Sequence, residues 1–349
     1  MLEFDDPDYV AVPFSRIKAK KVSYLWRYFV PLGFLTVLTG ESGCGKSTIM
    51  IDLIARMTRG DPMPRIGDDD EQITGKGSAL ILCQEDPADT VIKPRLRAAG
   101  ADMDRVHLGT LQHRGRAGSA DVYPDVIERL DVGVEKLERL IIQTRDLRVI
   151  FVDPITAFLG KLDFNREDHV RRLLRPLSTL AAKYKIAIVL VIHMNKDTRK
   201  KATQRILGSG GFVGANRSTL FVVKPAGSDR RLLVLGKGNN VPPAYQNKGV
   251  EFGMIDVKGR PRVEWGTEYE DVNLNAVLAG QASHVGKRDQ AVLLLHEWLA
   301  EGTRPVRDIQ QLALAVGFHW NTFKAAKKEI GIVVKKRTDG WWWALPKVN

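Results

Sequence analysis

Gly40-Glu41-Ser42-Gly43-Cys44-Gly45-Lys46-Ser47 is the stretch on which the fold turns. It fits GxxxxGK[ST], with an apolar β-rich run before it at 34–39 and helical spacing after it at 46–58. Glycines let successive backbone N–H groups turn inward around phosphate oxygens, and the start of the following helix adds partial positive charge. Lys46 neutralises the outer phosphates and Ser47 offers a hydroxyl to magnesium. The expected nucleotide contacts are therefore Gly40, Glu41, Ser42, Gly43, Cys44, Gly45, Lys46, Ser47 and Thr48, with ATP and Mg2+ as cofactors. Cys44 reads as a small filler residue within the loop rather than a redox group.

Working outward, apolar strands alternate with helices. Strands are predicted at 78–83, 106–111, 147–152 and 186–192, and helices at 87–99, 132–144 and 165–184, the last broken or kinked before Pro176. Buried strands joined by helices predict a parallel sheet covered on both faces, an α/β fold. Val149-Ile150-Phe151-Val152-Asp153 ends one strand in a carboxylate, suited to the magnesium shell. The strand at 78–83 runs into Gln84-Glu85-Asp86. There Glu85 is placed to orient the attacking water as catalytic base, while Asp86, before Pro87, caps the next helix. His193 ends the strand after Asp153, where a polar residue can sense the terminal phosphate. The other histidines show no metal-binding spacing.

After Gly208-Ser209-Gly210-Gly211 the pattern changes to short strands at 218–223, 232–235, 251–255 and 262–265, an antiparallel extension of the sheet. Residues 266–286 are small and polar and read as a linker. From 287 the chain reads as three helices and a hairpin whose turn contains Asp339-Gly340, a winged helix-turn-helix layout. The expected organisation is a lead-in at 1–30, an ATPase core at 31–265, the linker at 266–286 and a winged-helix domain at 287–349.

The chain has 349 residues, 44% of them hydrophobic, enough for a sizeable core. Two cysteines, neither in a CxxC pair, exclude a disulfide framework and a structural zinc site of that type. No apolar run reaches membrane-spanning length and MLEFDDPDYV lacks the apolar centre of a signal peptide, so a cytoplasmic location without a membrane partner is expected. The net charge is +12, and residues 161–237, with 17 basic and 5 acidic side chains, hold an equal net excess. Within them Lys196, Arg199, Lys200 and Lys201 read as an exposed basic loop, with Arg205 close behind, a surface for single-stranded DNA. Lys324, Lys327 and Lys328 on the last helix and Lys335 and Lys336 on the hairpin are the second expected nucleic-acid surface, open to duplex DNA; docking of a protein is the alternative use. Of Trp341-Trp342-Trp343, the alternation of a strand turns Trp342 opposite to the other two and makes at least one of them core.

The order of phosphate loop, Gln84-Glu85-Asp86 with Arg95-Leu96-Arg97, Val152-Asp153-Pro154, Val191-Ile192-His193-Met194-Asn195-Lys196, Gly208-Ser209-Gly210 and Asn216-Arg217 resembles the RepA-type ATPases of the RecA-like class, over about residues 24–265. That family's best-known members are ring-shaped replicative helicases of plasmids and phages. The resemblance implies a RecA-like core, a hexameric ring or filament, and active sites between subunits. It implies Lys46, Glu85 and His193 as catalytic residues, Asp153 as magnesium carboxylate and Arg217 as an arginine finger acting on the neighbouring subunit. Lys237 resembles a second cation acting in trans. Three functions stay open at this point: a DNA helicase, a filament-forming recombination ATPase, and a DNA-binding regulator switched by ATP.

Overall fold

A computed structural model describes residues 11–66, 75–111, 125–126, 130, 133–160, 162–195, 201–206, 210–225, 228–279, 287–300, 302–316, 318, 320–338 and 340–346. Nine strands make the central sheet: β1 (Leu35–Gly40), β2 (Ser78–Cys83), β3 (Val106–Leu108), β4 (Leu147–Asp153), β5 (Ala187–His193), β6 (Ser218–Val223), β7 (Arg231–Gly238), β8 (Gly249–Asp256) and β9 (Pro261–Tyr269). Their order is β9-β8-β7-β6-β1-β5-β4-β2-β3. The six from β6 to β3 run parallel. The three on the other side run antiparallel. This mixed α/β architecture fits a RecA-like P-loop core.

The apolar runs behave as fully buried strands should, since helices cover both faces. On one face α1 (Lys46–Arg59) packs Ile49, Met50, Leu53 and Ile54 against Leu38, Ile81, Phe151 and Val189. On the other, α3 (Val134–Gln143) and α4 (Glu167–Tyr184) bring Leu137, Ile141, Leu173 and Leu177 to Val37, Leu80, Ile150 and Ile188. Between α1 and α3 the shorter α2 (Lys93–Ala98) follows a π-helical turn at Ala88–Ile92. Each such buried aliphatic side chain contributes about 1.5–3 kcal/mol. No helix among the described residues is long and apolar enough to cross a membrane.

Several expectations need correction. The helix α4 runs through Pro176 without interruption, because five apolar side chains, Val170, Leu173, Leu174, Leu177 and Leu180, hold its inner face in the core. Proline removes one backbone hydrogen bond, and tertiary burial outweighs that loss. The segment read as a linker is partly core. Strand β9 continues to Tyr269, and beyond α5 (Gly210–Ala215) a helix α6 (Leu274–Leu278) buries Leu274 and Val277 beside Val272. Within the lead-in, Trp26 and Phe29 are buried, and the Trp26 indole donates to Pro64 O at 2.9 Å.

The C-terminal segment has its own core. Helices α7 (Lys287–Trp298), α8 (Val306–Ala315) and α9 (Trp320–Glu329) accompany three antiparallel strands, β10 (Arg304–Pro305), β11 (Val333–Arg337) and β12 (Gly340–Ala344), ordered β10-β12-β11. Leu295, Leu299, Ile309, Phe323, Ile332 and Trp343 are among the residues that close it.

Candidate nucleotide site

Parallel pairing brings the sequence-predicted groups to one edge. Gly40 is paired with His193 across β1 and β5, and Cys83 with Asp153 across β2 and β4. The phosphate loop, Glu85, Asp153 and His193 therefore meet at the carboxyl ends of adjacent strands, where ligands bind in open α/β sheets. They line a cleft of about 400 Å³.

The loop owes its shape to its glycines. Gly43 and Gly45 have φ of +73° and +105°, values other residues rarely adopt. A side chain at Gly45 would also run into Met254 of β8. The Lys46 ammonium donates to Gly40 O at 3.0 Å and Glu41 O at 2.8 Å, and lies 3.4 Å from His193 Nδ1. On its far side the His193 ring has Nε2 3.7 Å from Glu85 Oε2. His193 thus stands between the phosphate lysine and the candidate base. Ser47, Ser42 and Thr48 also line the cleft, while Cys44 is buried.

Ser47 donates to Asp153 Oδ2 at 2.7 Å. Burial pushes the Asp153 carboxyl above the usual carboxylate range, and nearby Glu85 and Asp86 add to this against the pull of Ser47 and Lys46. A half-buried carboxylate beside a hydroxyl is a hard-oxygen donor pair that suits magnesium. Among the described residues no group of three or more His, Cys, Asp or Glu could hold a metal by itself. Burial also raises the Cys44 thiol, and with Asp153 and Asp86 it pushes Cys83 up to about 11. Both cysteines stay protonated at neutral pH, which agrees with a filler role for Cys44.

Other predicted residues lie elsewhere. Arg217 is exposed at the amino-terminal edge of the sheet, its N–H bonded to Leu35 O at 3.2 Å. That is five residues from Gly40, roughly 16 Å along β1. Lys237 stands with it, donating to Asn216 O at 3.3 Å; burial first, then Arg217, lowers its pKa. Neither reaches its own chain's cleft. Lys196, Arg199 and Lys200 lie outside the described residues, and Lys201 is exposed. Lys324, Lys328, Lys335 and Lys336 are exposed, and Lys327 lies 5.4 Å above the Trp343 ring.

Arg205 overturns its expected role on DNA. Its side chain is 0% exposed and ion-paired to Glu41 Oε1 at 2.6 Å. It also donates to Asn195 O at 3.0 Å and Leu278 O at 3.3 Å. A guanidinium finds several fixed acceptors here, which compensate its desolvation, so it is spent inside the protein. It ties the phosphate loop to the end of β5 and to α6. Met194 N–H bonding to Gly40 O at 3.1 Å reinforces the same junction.

Asp86 is also reassigned. It makes no cap; Pro87 occupies the cap position of the next helical turn without a side-chain bond. Asp86 instead accepts from Arg95 at 3.0 Å, and both line the cleft. Arg95, Met254 and Pro261 are cleft residues that the sequence reading did not select. Arg95 had a signal, since Arg95-Leu96-Arg97 stands in the motif order together with Gln84-Glu85-Asp86. Met254 and Pro261 had none, because they arrive from a hairpin some two hundred residues beyond the loop.

The sequence family described as the AAA domain matches residues 6–199, and the chain belongs to it. It is therefore a P-loop ATPase of AAA type. No curated protein matches the sequence.

Proposed function

We propose that this ATPase is a DNA motor, a RepA-like replicative helicase that works on single-stranded DNA as a homo-oligomeric ring, with residues 287–349 forming a winged-helix domain. One observation carries the reading. The cleft holds a phosphate lysine, a magnesium pair and a carboxylate base, yet the finger candidates Arg217 and Lys237 lie at the opposite sheet edge of the same chain. A site divided in this way is complete only between neighbouring copies.

On this reading Lys46 leaves the loop carbonyls for the outer phosphates when ATP enters. Ser47 and Asp153 would hold magnesium, which screens phosphate charge when bound. Glu85 accepts a proton from the water that attacks the terminal phosphate, and the neighbour's Arg217 stabilises the developing charge. His193, within reach of both Lys46 and Glu85, responds to the lysine's departure. It passes this to the chain after Met194, whose expected basic residues grip the DNA backbone.

Mixing two inactive variants tests the divided site. Lys46→Ala and Arg217→Ala are each expected to lower ATP hydrolysis by about 10²-fold or more. Mixed rings restore part of the rate, because an intact phosphate loop then faces an intact finger. No recovery over all mixing ratios would remove the trans arrangement. Single-stranded DNA should stimulate the wild-type rate, and a strand-displacement assay should show unwinding. Slow turnover indifferent to DNA would instead mark an ATP-switched regulator.

A further inference from the structure

We propose that Trp341, on the C-terminal hairpin, is a stacking platform for an unpaired nucleobase, with the cations beside it holding the flanking phosphates. The inference rests on the reading that this segment meets nucleic acid. Three consecutive tryptophans meet unequal surroundings on this hairpin. Trp343 is 4% exposed and fills the C-terminal core, stacked on Trp320 with ring centres 5.1 Å apart. Trp342 points to the other face of the strand, where Arg337 covers its ring at 4.2 Å. Trp341 shares the face of Trp343 but lies two residues farther out, past the end of the core, and is 55% exposed.

An exposed indole on a paired strand has little conformational freedom left to lose and a large apolar face to cover. The surrounding charge identifies what covers it. Residues 320–337 carry six basic side chains and one acidic one. Lys336 is the cross-strand partner of Trp341, with its ammonium 5.7 Å from the ring centre. Lys336, Lys324 and Lys328 are exposed, while Lys335, paired with Trp342, lies on the opposite face of the hairpin. A partner with flat apolar groups spaced along a chain of negative charges matches this surface, and single-stranded nucleic acid has that chemistry. In a duplex the base faces are already stacked, so the platform favours unpaired bases.

The test uses the full chain and two oligonucleotides of equal length, one ordinary and one with abasic sites, which share phosphates but differ in stacking. The wild type is expected to bind the ordinary strand about 5- to 100-fold more tightly. Trp341→Ala should bind the ordinary strand close to the abasic level, Trp341→Phe should keep most of the preference, and abasic affinity should be unchanged in both. A strand carrying 5-iodouracil should photo-crosslink to Trp341. Wild type that binds both strands equally, or crosslinks absent from residues 340–344, would overturn the proposal while leaving DNA binding intact. Wild type that binds neither strand would remove the DNA reading itself. If Trp341→Ala changes the oligomeric state and not base preference, the ring belongs to a contact between copies and the proposal fails.

Discussion

Arg205, beside the phosphate loop, and the lysines of the C-terminal segment, Lys324, Lys328, Lys335 and Lys336, are cations used in opposite ways. Arg205 is wholly buried, with a carboxylate and two carbonyls as partners. Lys335 and Lys336 stand on a strand whose residues are all exposed. In sequence both look alike as positive charge. The difference shows that a cation's role follows from the acceptors the fold sets around it. A guanidinium surrounded by fixed oxygens is held inside the protein beside the phosphate loop, and ammonium groups on an open hairpin remain available to an outside polyanion.

The largest effect that could break this contrast is on stability. Arg205→Met should lower the melting temperature by about 5 °C or more, since it strips two part-buried carbonyls and the Glu41 carboxylate of their donor. Below that temperature its DNA affinity should match wild type, as measured by fluorescence anisotropy. A stable Arg205→Met variant that loses DNA binding would return Arg205 to the surface role. The converse substitution is Lys336→Ala. It should leave the melting temperature within about 1 °C, weaken DNA binding several-fold, and flatten the dependence of log affinity on log salt by roughly 0.7–0.9. An unchanged salt slope would place Lys336 off the DNA.

The smallest expected effect sharpens the comparison from the side of the acid. Asp153 is a half-buried carboxyl whose pKa is raised by partial loss of its hydration. For an acid shifted upward, the stability cost is absent below its unfolded pKa and appears as pH rises through the folded value. Asp153→Asn should therefore raise the melting temperature of the nucleotide-free protein by a few degrees at neutral pH and by nothing near pH 3. It should also abolish the stabilisation that ATP gains from added magnesium. Differential scanning calorimetry across that range reads both results. Equal melting shifts at both pH values would show that the carboxylate's charge is not the source.

How much of this was legible in sequence depended on distance along the chain. The phosphate loop and its flanking strand and helix are local patterns, and so is an aspartate that ends an apolar run. Gly43, Lys46, Ser47, Asp153, Glu85 and His193 were selected from such patterns, and the structure gathers them in one cleft. Parallel pairing does this with no further information, because the carboxyl ends of parallel strands share an edge. Pro176 and residues 266–279 were misread because local propensity argued for a break and a linker, while buried apolar faces outweighed it.

Amino-acid order alone thus determined the α/β class, the nucleotide loop and most of the groups that face it, through periodicity and fixed glycine geometry. Only tertiary structure decided where the remaining groups went. It paired Arg205 with Glu41, 164 residues away, and turned Asp86 from a helix cap to a partner of Arg95. It brought Met254 onto the loop, left Arg217 at the far edge of the sheet, and made Trp343 core while exposing Trp341. The physical reason is common to all of these. A charged or aromatic side chain takes its role from the acceptors, cations and apolar surface that surround it, and strands and hairpins remote in sequence supply those surroundings.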